Sequence, residues 1–204
     1  MRIQFQDLNK LDIYKLMTHT ILPRPVAWVL SQHKNGKLNL APFSYFNAVS
    51  SEPPLISISI GKKKDGTRKD SWENIAMRND FIVHIAQASQ AEAVTASSAS
   101  LDAGVSEIEA NGLKTVKMDG WPLPRLADAP VAMWCRRYQI IEIGEGPQAL
   151  IIGKIIAMYL DTSVYHPDDE PDEALPNTAL LNPLVRLGGT SYCSLGEIFE
   201  VERP

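Results

Sequence analysis

The segment at residues 55–60 alternates between large apolar side chains and serine, in the order Leu-Ile-Ser-Ile-Ser-Ile. A period of two sends alternate side chains to opposite faces of a strand, whereas a helix needs a period of 3.6. Other runs rich in β-branched and apolar residues lie at 26–31, 37–47, 80–86, 130–143 and 149–160. These runs predict that strands dominate the fold.

Helices are predicted from Asp70 to about Arg78 and over 89–100, and residues 7–19 are compatible with either a short helix or an extended segment. Asp70 or Ser71 is expected to cap the first of these helices, because a short side-chain oxygen can accept a free first-turn N–H. Ser89, with Glu92 three residues later, has the capping-box pattern. Helices and strands do not alternate regularly. The sequence therefore favours a mainly β fold with helical insertions, an antiparallel barrel, over a doubly wound sheet.

Turn sequences connect the predicted strands. Asn35-Gly36 tolerates the positive φ of a tight hairpin between the first two strand runs. The segment 144–147, Gly-Glu-Gly-Pro, joins the two long runs near the C-terminus, and 194–201 is expected to close the sheet. Residues 161–178 contain six acidic residues and are expected to form a solvated loop. The whole chain, residues 1–204, is expected to be one domain.

Composition argues against several classes of partner and site. The formal net charge of −4 does not suit nucleic acid, which requires a surplus of Lys and Arg. No run of about 18 apolar residues is present, so no membrane association is expected. The N-terminus lacks the apolar core of a signal peptide, which favours a cytoplasmic location. Cys135 and Cys193 are expected to be reduced thiols, and the four histidines have no metal-ligand spacing, so no metal site is expected.

The motifs of the common nucleotide-binding and hydrolase folds are absent from the sequence. It contains no G-x-G-x-x-G, no G-x-x-x-x-G-K-[ST] and no G-x-S-x-G. The Rossmann, P-loop and α/β-hydrolase interpretations therefore lack their signatures.

Three segments have the residue types that bind a ligand. Residues 41–54 combine aromatic, small and hydroxyl side chains before a rigid Pro-Pro, a mixture that suits a flat heteroaromatic ring or an ordinary strand end. Five cations, Lys62, Lys63, Lys64, Arg68 and Lys69, precede a predicted helix start. A phosphate can bind at such a helix start with Lys69 or Arg68, although basic runs are more often solvated loops. Residues 186–192 place Arg186 and Tyr192 around a Gly-Gly pair, which fits a ligand contact or a surface turn.

Taken together, the motifs of the chain resemble the flavin-reductase-like family that includes flavoredoxin. Five ordered segments carry the resemblance: Pro23–Val29, Asn39–Ser50, Pro53–Leu55, Lys69-Asp70-Ser71 with Asn74-Ile75, and Arg186–Gly189 with Tyr192. The sequence has Ser71 where the family often has threonine, and the hydroxyl is kept. The basic stretch 62–66 and the acidic stretch 161–178 match no motif of the family.

The resemblance implies an FMN-binding split β-barrel, antiparallel and Greek-key-like, that forms a homodimer with FMN near the subunit interface. It implies that the segment from 46 to 51 contacts the flavin and that the segment from 68 to 71 lies by the phosphate. The candidate cofactor-binding residues are Phe46, Asn47, Ala48, Val49, Ser50, Ser51, Arg68, Lys69, Asp70 and Ser71.

The function implied is that of an NAD(P)H-dependent flavin reductase-like oxidoreductase. No side chain is assigned as catalytic, because the redox chemistry belongs to the flavin. Arg186 and Tyr192 are candidate contacts for the nicotinamide or another substrate. Two alternatives stay open: a non-catalytic FMN-binding electron carrier fed by a separate reductase, and a related barrel with another cofactor or none.

Overall fold

The structure is a computed structural model that describes residues 2–102, 104–144, 146–167 and 175–202. The strands are β1 (Arg24–Pro25), β2 (Ala27–Gln32), β3 (Leu38–Phe43), β4 (Phe46–Ser51), β5 (Pro54–Gly61), β6 (Asp80–Ile85), β7 (Thr115–Val116), β8 (Arg125–Leu126), β9 (Val131–Ile143), β10 (Gln148–Leu160), β11 (Val185–Arg186) and β12 (Tyr192–Cys193). The helices are α1 (Lys10–Thr20), α2 (Asp70–Arg78), α3 (Ala91–Ala96), α4 (Glu107–Ala110) and α5 (Thr178–Leu181), with short 3₁₀ helices at Phe5–Asp7, Ala88–Gln90 and Thr162–Val164.

A seven-stranded antiparallel sheet organises the molecule. Its strand order is β3-β2-β6-β9-β10-β5-β4, and two small sheets, β1-β11-β12 and β7-β8, lie beside it. Strand β3 also contacts β5, although four strands separate them in the order, so the sheet curls into a barrel. The prediction of a mainly β, antiparallel fold with helical insertions is confirmed.

Two predicted hairpins are present, and one predicted strand is divided. Strands β2 and β3 pair across the turn at Asn35-Gly36, and β9 pairs with β10 across the turn that follows Ile143. The predicted single strand 37–47 is wrong, because the chain bends at Ser44 and Tyr45. Beyond this bend β4 pairs with β5 instead of β2. The bend therefore carries the chain from one end of the curled sheet to the other.

The predicted caps of both helices are wrong, because other residues occupy the capping positions. The N-cap of α2 is Lys69, whose side chain makes no capping bond, while Asp70 forms an ion pair with Lys63. Ahead of α3, the capping box joins Gln87 to Gln90 instead of Ser89 to Glu92. Helix α3 also ends at Ala96, so the predicted helix 89–100 is too long.

The two ends of the chain differ from each other in structure. Residues 7–19, left open by the sequence, belong largely to α1, which Asn9 caps by accepting from Leu11 N and Asp12 N. The predicted strand at 194–201 is wrong: this stretch is irregular, and its apolar residues Ile198 and Phe199 are exposed. Part of the predicted acidic loop, 168–174, lies outside the described residues.

Both faces of the sheet carry a core. Val29, Ile58 and Phe81 pack with Trp72 of α2 on one face. Trp28, Leu30 and Ile82 pack with Val94 of α3 on the other face. Neighbouring residues in β2 and β6 thus point to opposite cores, as the period of two requires. Among the described residues, no helix has both the length and the apolar character needed to cross a membrane.

Candidate functional site

The main cavity lies between the start of α2 and the end of β3, and its volume is about 680 Å³. Small-molecule sites usually have volumes of roughly 300–1,000 Å³. The lining comes from five parts of the chain: Asn39 and Ala41–Phe43 of β3, the basic loop 62–65, residues 69–71, the segment Ser97–Leu101 after α3, and Glu107 of α4.

Helix α2 points its N-terminus at this cavity. The first N–H groups of a helix have no partner within the helix and form its positive end. The side chain of the N-cap residue Lys69 forms no capping hydrogen bond at this end of the nine-residue helix. The cavity therefore meets an uncapped helix start, which is an anion-binding geometry.

Lysine side chains add positive charge at the same place. Lys63 is neutralised by Asp70 at 2.7 Å, but Lys62, Lys64 and Lys69 form no ion pair with any described residue. Lys69 places its Nζ 5.8 Å from the centre of the Phe43 ring. Although the residue as a whole is exposed, the partial burial of its ammonium lowers the pKa of Lys69. A bound anion would offset the cost of partly removing this charge from water.

The inner wall of the cavity is polar and buried. Asn39 donates through Nδ2 to Ser71 Oγ at 2.9 Å and to Ser31 Oγ at 3.1 Å, and Asn74 donates to the same Ser31 oxygen at 3.1 Å. Glu107 accepts from the backbone N–H of Leu40 at 2.9 Å. Burial is the largest cause that raises the pKa of the Glu107 carboxyl.

Residues 97–101 are a part of the site that sequence reasoning missed. Their serines were included in a predicted helix, but α3 ends before them and they face the cavity instead. Ser97 accepts from Trp28 Nε1 at 2.8 Å and Ser98 donates to Thr95 O at 2.6 Å, so hydrogen bonds hold the segment in place. The only sequence signal was the density of serine just beyond an alanine-rich helix.

The structure brings together some of the predicted site residues. Lys69, Asp70 and Ser71 all line the cavity. Arg68 does not; it forms an ion pair with Glu142 at 2.8 Å and its guanidinium lies 4.9 Å from the centre of the Trp72 ring.

The other predicted flavin-binding residues, Phe46, Asn47, Ala48, Val49, Ser50 and Ser51, form the edge strand β4 and do not line the cavity. Ser51 is opposite Pro54, at the start of β5, whereas the basic loop follows Gly61 at its end. Seven residues of strand correspond to about 23 Å. Within one chain, therefore, Ser51 lies far along β5 from the basic loop, whereas Phe46, at the other end of β4, pairs with Ile58 near the end of β5 and packs against the core that contains Trp72 of α2.

Arg186 and Tyr192, the candidate nicotinamide contacts, lie on β11 and β12 and contact each other. The Arg186 guanidinium is 4.4 Å from the centre of the Tyr192 ring. The hydroxyls of Tyr192 and Thr95 are 3.1 Å apart, which ties this small sheet to α3. Neither residue lines the main cavity.

Comparison with known proteins places this chain in a family. The sequence model of the flavin reductase like domain matches residues 17–182. Nitrilotriacetate monooxygenase component B of Bacillus cereus is 35% identical, with 98% of each chain covered and a TM-score of 0.90. The 2-nitrobenzoate 2-nitroreductase NbaA of Pseudomonas fluorescens is 29% identical, with 100% of this chain and 96% of that chain covered and a TM-score of 0.89.

A protein with a split barrel domain from Shewanella frigidimarina is 16% identical, with 100% of both chains covered and a TM-score of 0.84. This likeness concerns the fold alone and confirms the predicted split barrel. The predicted resemblance is confirmed over most of the chain: the protein belongs to the flavin reductase like domain family.

Proposed function

We propose that the chain is a single FMN-binding domain that acts as an NAD(P)H-dependent oxidoreductase of the flavin reductase kind. The observation that carries the proposal is the cavity where an uncapped helix start, serine hydroxyls and lysines with no ion pair among the described residues converge. The family supports a flavin as the ligand. Two structures of about 30% identity, a monooxygenase component and a nitroreductase, support redox chemistry.

The residues of the cavity fit the parts of FMN. The phosphate needs cations and hydrogen-bond donors, which Lys69, the first N–H groups of α2 and the Ser100 hydroxyl supply. The flavin ring needs a flat wall with small residues, which Ala41, Pro42 and Phe43 supply. The volume of the cavity, about 680 Å³, suits a ligand of this size.

When bound, FMN supplies the chemistry of accepting a hydride and passing electrons on. The chain has the task of holding this group in position. Lys69 and the start of α2 fix its charged end, and the β3 wall excludes water from one side. Arg186 and Tyr192 are proposed to hold the nicotinamide, since they offer a charge and a stacked ring at one place.

Strand β4 is proposed to contact the flavin that is bound to a second copy of the chain. It is an edge strand with Val49 54% exposed, so its backbone and side chains are open to a partner. We propose a homodimer in which Phe46–Ser51 face the flavin of the partner subunit.

Sedimentation equilibrium is expected to give twice the chain mass of 22.6 kDa. A single-chain mass at micromolar concentration would contradict the dimer.

Two measurements test the function: a visible absorbance spectrum and then an assay of NADH and NADPH oxidation. The purified protein, mixed with FMN and separated from free ligand, is expected to retain the visible absorbance of oxidised flavin. Added NADH or NADPH is then expected to bleach this absorbance and to be oxidised steadily in air. Failure to retain FMN would overturn the proposal. Retention of FMN without oxidation of either nicotinamide would overturn the proposed donor and favour an electron carrier fed by another reductase.

A further inference from the structure

The segment between β5 and α2 is a closed hairpin. Lys62 and Arg68 form a β-bridge. The backbone N–H of Lys63 donates to Thr67 O at 2.7 Å. At the tip, Asp65 Oδ1 accepts from the Thr67 backbone N–H at 2.9 Å and from the Thr67 hydroxyl at 2.6 Å. These bonds hold the backbone of the hairpin in one conformation, so its side chains begin from fixed positions.

Two cations of this hairpin have acidic partners. Lys63 forms an ion pair with Asp70 at 2.7 Å. Arg68 forms ion pairs with Glu142 at 2.8 Å and with Glu73 at 3.8 Å. These three carboxylates are therefore not available to the other lysines of the hairpin.

Lys62 and Lys64 are the lysines that remain. Both line the main cavity, as Lys69 does, and none of the three forms an ion pair with a residue that the structure describes. Lys62 is partly buried and also lines an adjoining cavity of about 520 Å³, whereas Lys64 is exposed. The two lining carboxylates that are outside ion pairs, Asp65 and Glu107, accept from backbone N–H groups instead. Like charges that share one space repel each other, and an anion bound there relieves the repulsion.

One phosphate group does not use all three of these lysines. A phosphate monoester carries about 1.5 to 2 negative charges at neutral pH. In the proposed function, the phosphate of FMN is held by Lys69 and by the positive end of α2. Lys62 and Lys64 lie on the separate hairpin and take no part in that contact, so they suit a second phosphate group.

We propose that Lys62 and Lys64 form a second phosphate subsite on the hairpin side of the main cavity, for a ligand that carries a phosphate group besides that of FMN. The inference rests on the proposed function. Two ligands of such an enzyme have this chemistry: FAD, through the second phosphate of its diphosphate, and NADPH, through the 2′-phosphate that NADH lacks. Both lysines belong to the basic stretch that matches no motif of the family, so the subsite is a property of this chain.

The double variant Lys62→Ala/Lys64→Ala tests the subsite by equilibrium binding. Calorimetric titrations compare FAD with FMN, and adenosine 2′,5′-bisphosphate with 5′-AMP, at low ionic strength because salt screens exposed charges. We expect the affinity ratio of one of these pairs to fall about tenfold, since charge-assisted contacts to the additional phosphate are lost. A fall for FAD relative to FMN assigns the subsite to the diphosphate of FAD. A fall for the bisphosphate relative to 5′-AMP assigns it to the 2′-phosphate of NADPH.

The matched control is Lys10→Ala/Lys117→Ala, which removes the same charge from two exposed positions that do not line the cavity. It is expected to keep both ratios. If the first double variant does not fold, Lys64→Ala alone, at an exposed position, is expected to lower the same ratio about threefold.

Unchanged ratios for both ligand pairs would overturn the subsite. An equal fall in the control variant would also overturn it, because the loss would then come from net charge. The nucleotide pair contains no flavin, so it tests the subsite even if the unchanged protein binds neither FMN nor FAD, a result by which the proposed function itself fails.

Discussion

Lys69→Ala is expected to weaken FMN binding about fiftyfold and to leave riboflavin binding unchanged, since a hydrogen bond to a charged group contributes about 1.5–3 kcal/mol. Lys69 forms no ion pair with a described residue, and its ammonium lies at the cavity beside the start of α2. A phosphate bound there would be the partner that this charge lacks. Riboflavin has no phosphate, so its affinity measures binding by the rest of the site alone.

The affinity of each flavin is measured by fluorescence titration. Lys117→Ala removes an exposed lysine that does not line the cavity and serves as the charge-matched control. Because its pKa is lowered, Lys69 loses its proton at a lower pH than an ordinary lysine, so FMN affinity should begin to fall earlier as the pH rises. Equal weakening of FMN and riboflavin would show that Lys69 does not bind the phosphate.

Lowering the pH from 7.5 to 4 is expected to remove about 3 kcal/mol of stability through His84 alone. His84 is fully buried; its Nδ1 is 3.0 Å from Trp28 O, and its Nε2 accepts from Leu126 N–H at 2.9 Å. Protonation of Nε2 would break the second bond and leave a charge in the core. Burial, with a smaller effect of the Arg125 charge, lowers the pKa of His84 from 6.5 to about 4.

The direction of this effect follows from the two pKa values. Unfolded His84 takes up a proton near pH 6.5, whereas the folded protein resists protonation until about pH 4. The stabilisation by neutral His84 is therefore complete above pH 6.5 and decreases as the pH falls towards 4. Urea unfolding at a series of pH values measures it. His84→Gln, which has no ionisable side chain, is expected to be less stable at pH 7.5 and to show a shallower decline. An identical decline in both proteins would rule out His84 as the cause.

Several long strands were predictable from the sequence because their signals are local. The Ile-Ser alternation of β5 and the Asn35-Gly36 turn determine a strand and a hairpin without help from distant residues. Helix caps were not predictable, because they depend on competition in space. Asp70 is a good capping residue, but Lys63 on the preceding loop attracts its carboxylate.

The candidate site was predictable only in part, for the same reason. The Lys69–Ser71 segment is contiguous and its chemistry is visible in the sequence. Glu107 and the serines after α3 join it only through the folding of the sheet, and neither has a local pattern typical of a ligand contact. The position of β4 depends on which strand it pairs with, and that choice is set by the curl of the whole sheet.

Strand β6 contributes residues to both cores, and this sharing couples the unfolding of one core to that of the other. Phe81 supports one side and Ile82 the other, on adjacent residues of one backbone. We therefore expect that neither layer unfolds while the other stays intact, because the loss of either one frees the strand that both require. Trp72 and Trp28 report from opposite layers, and their fluorescence should change in a single cooperative step.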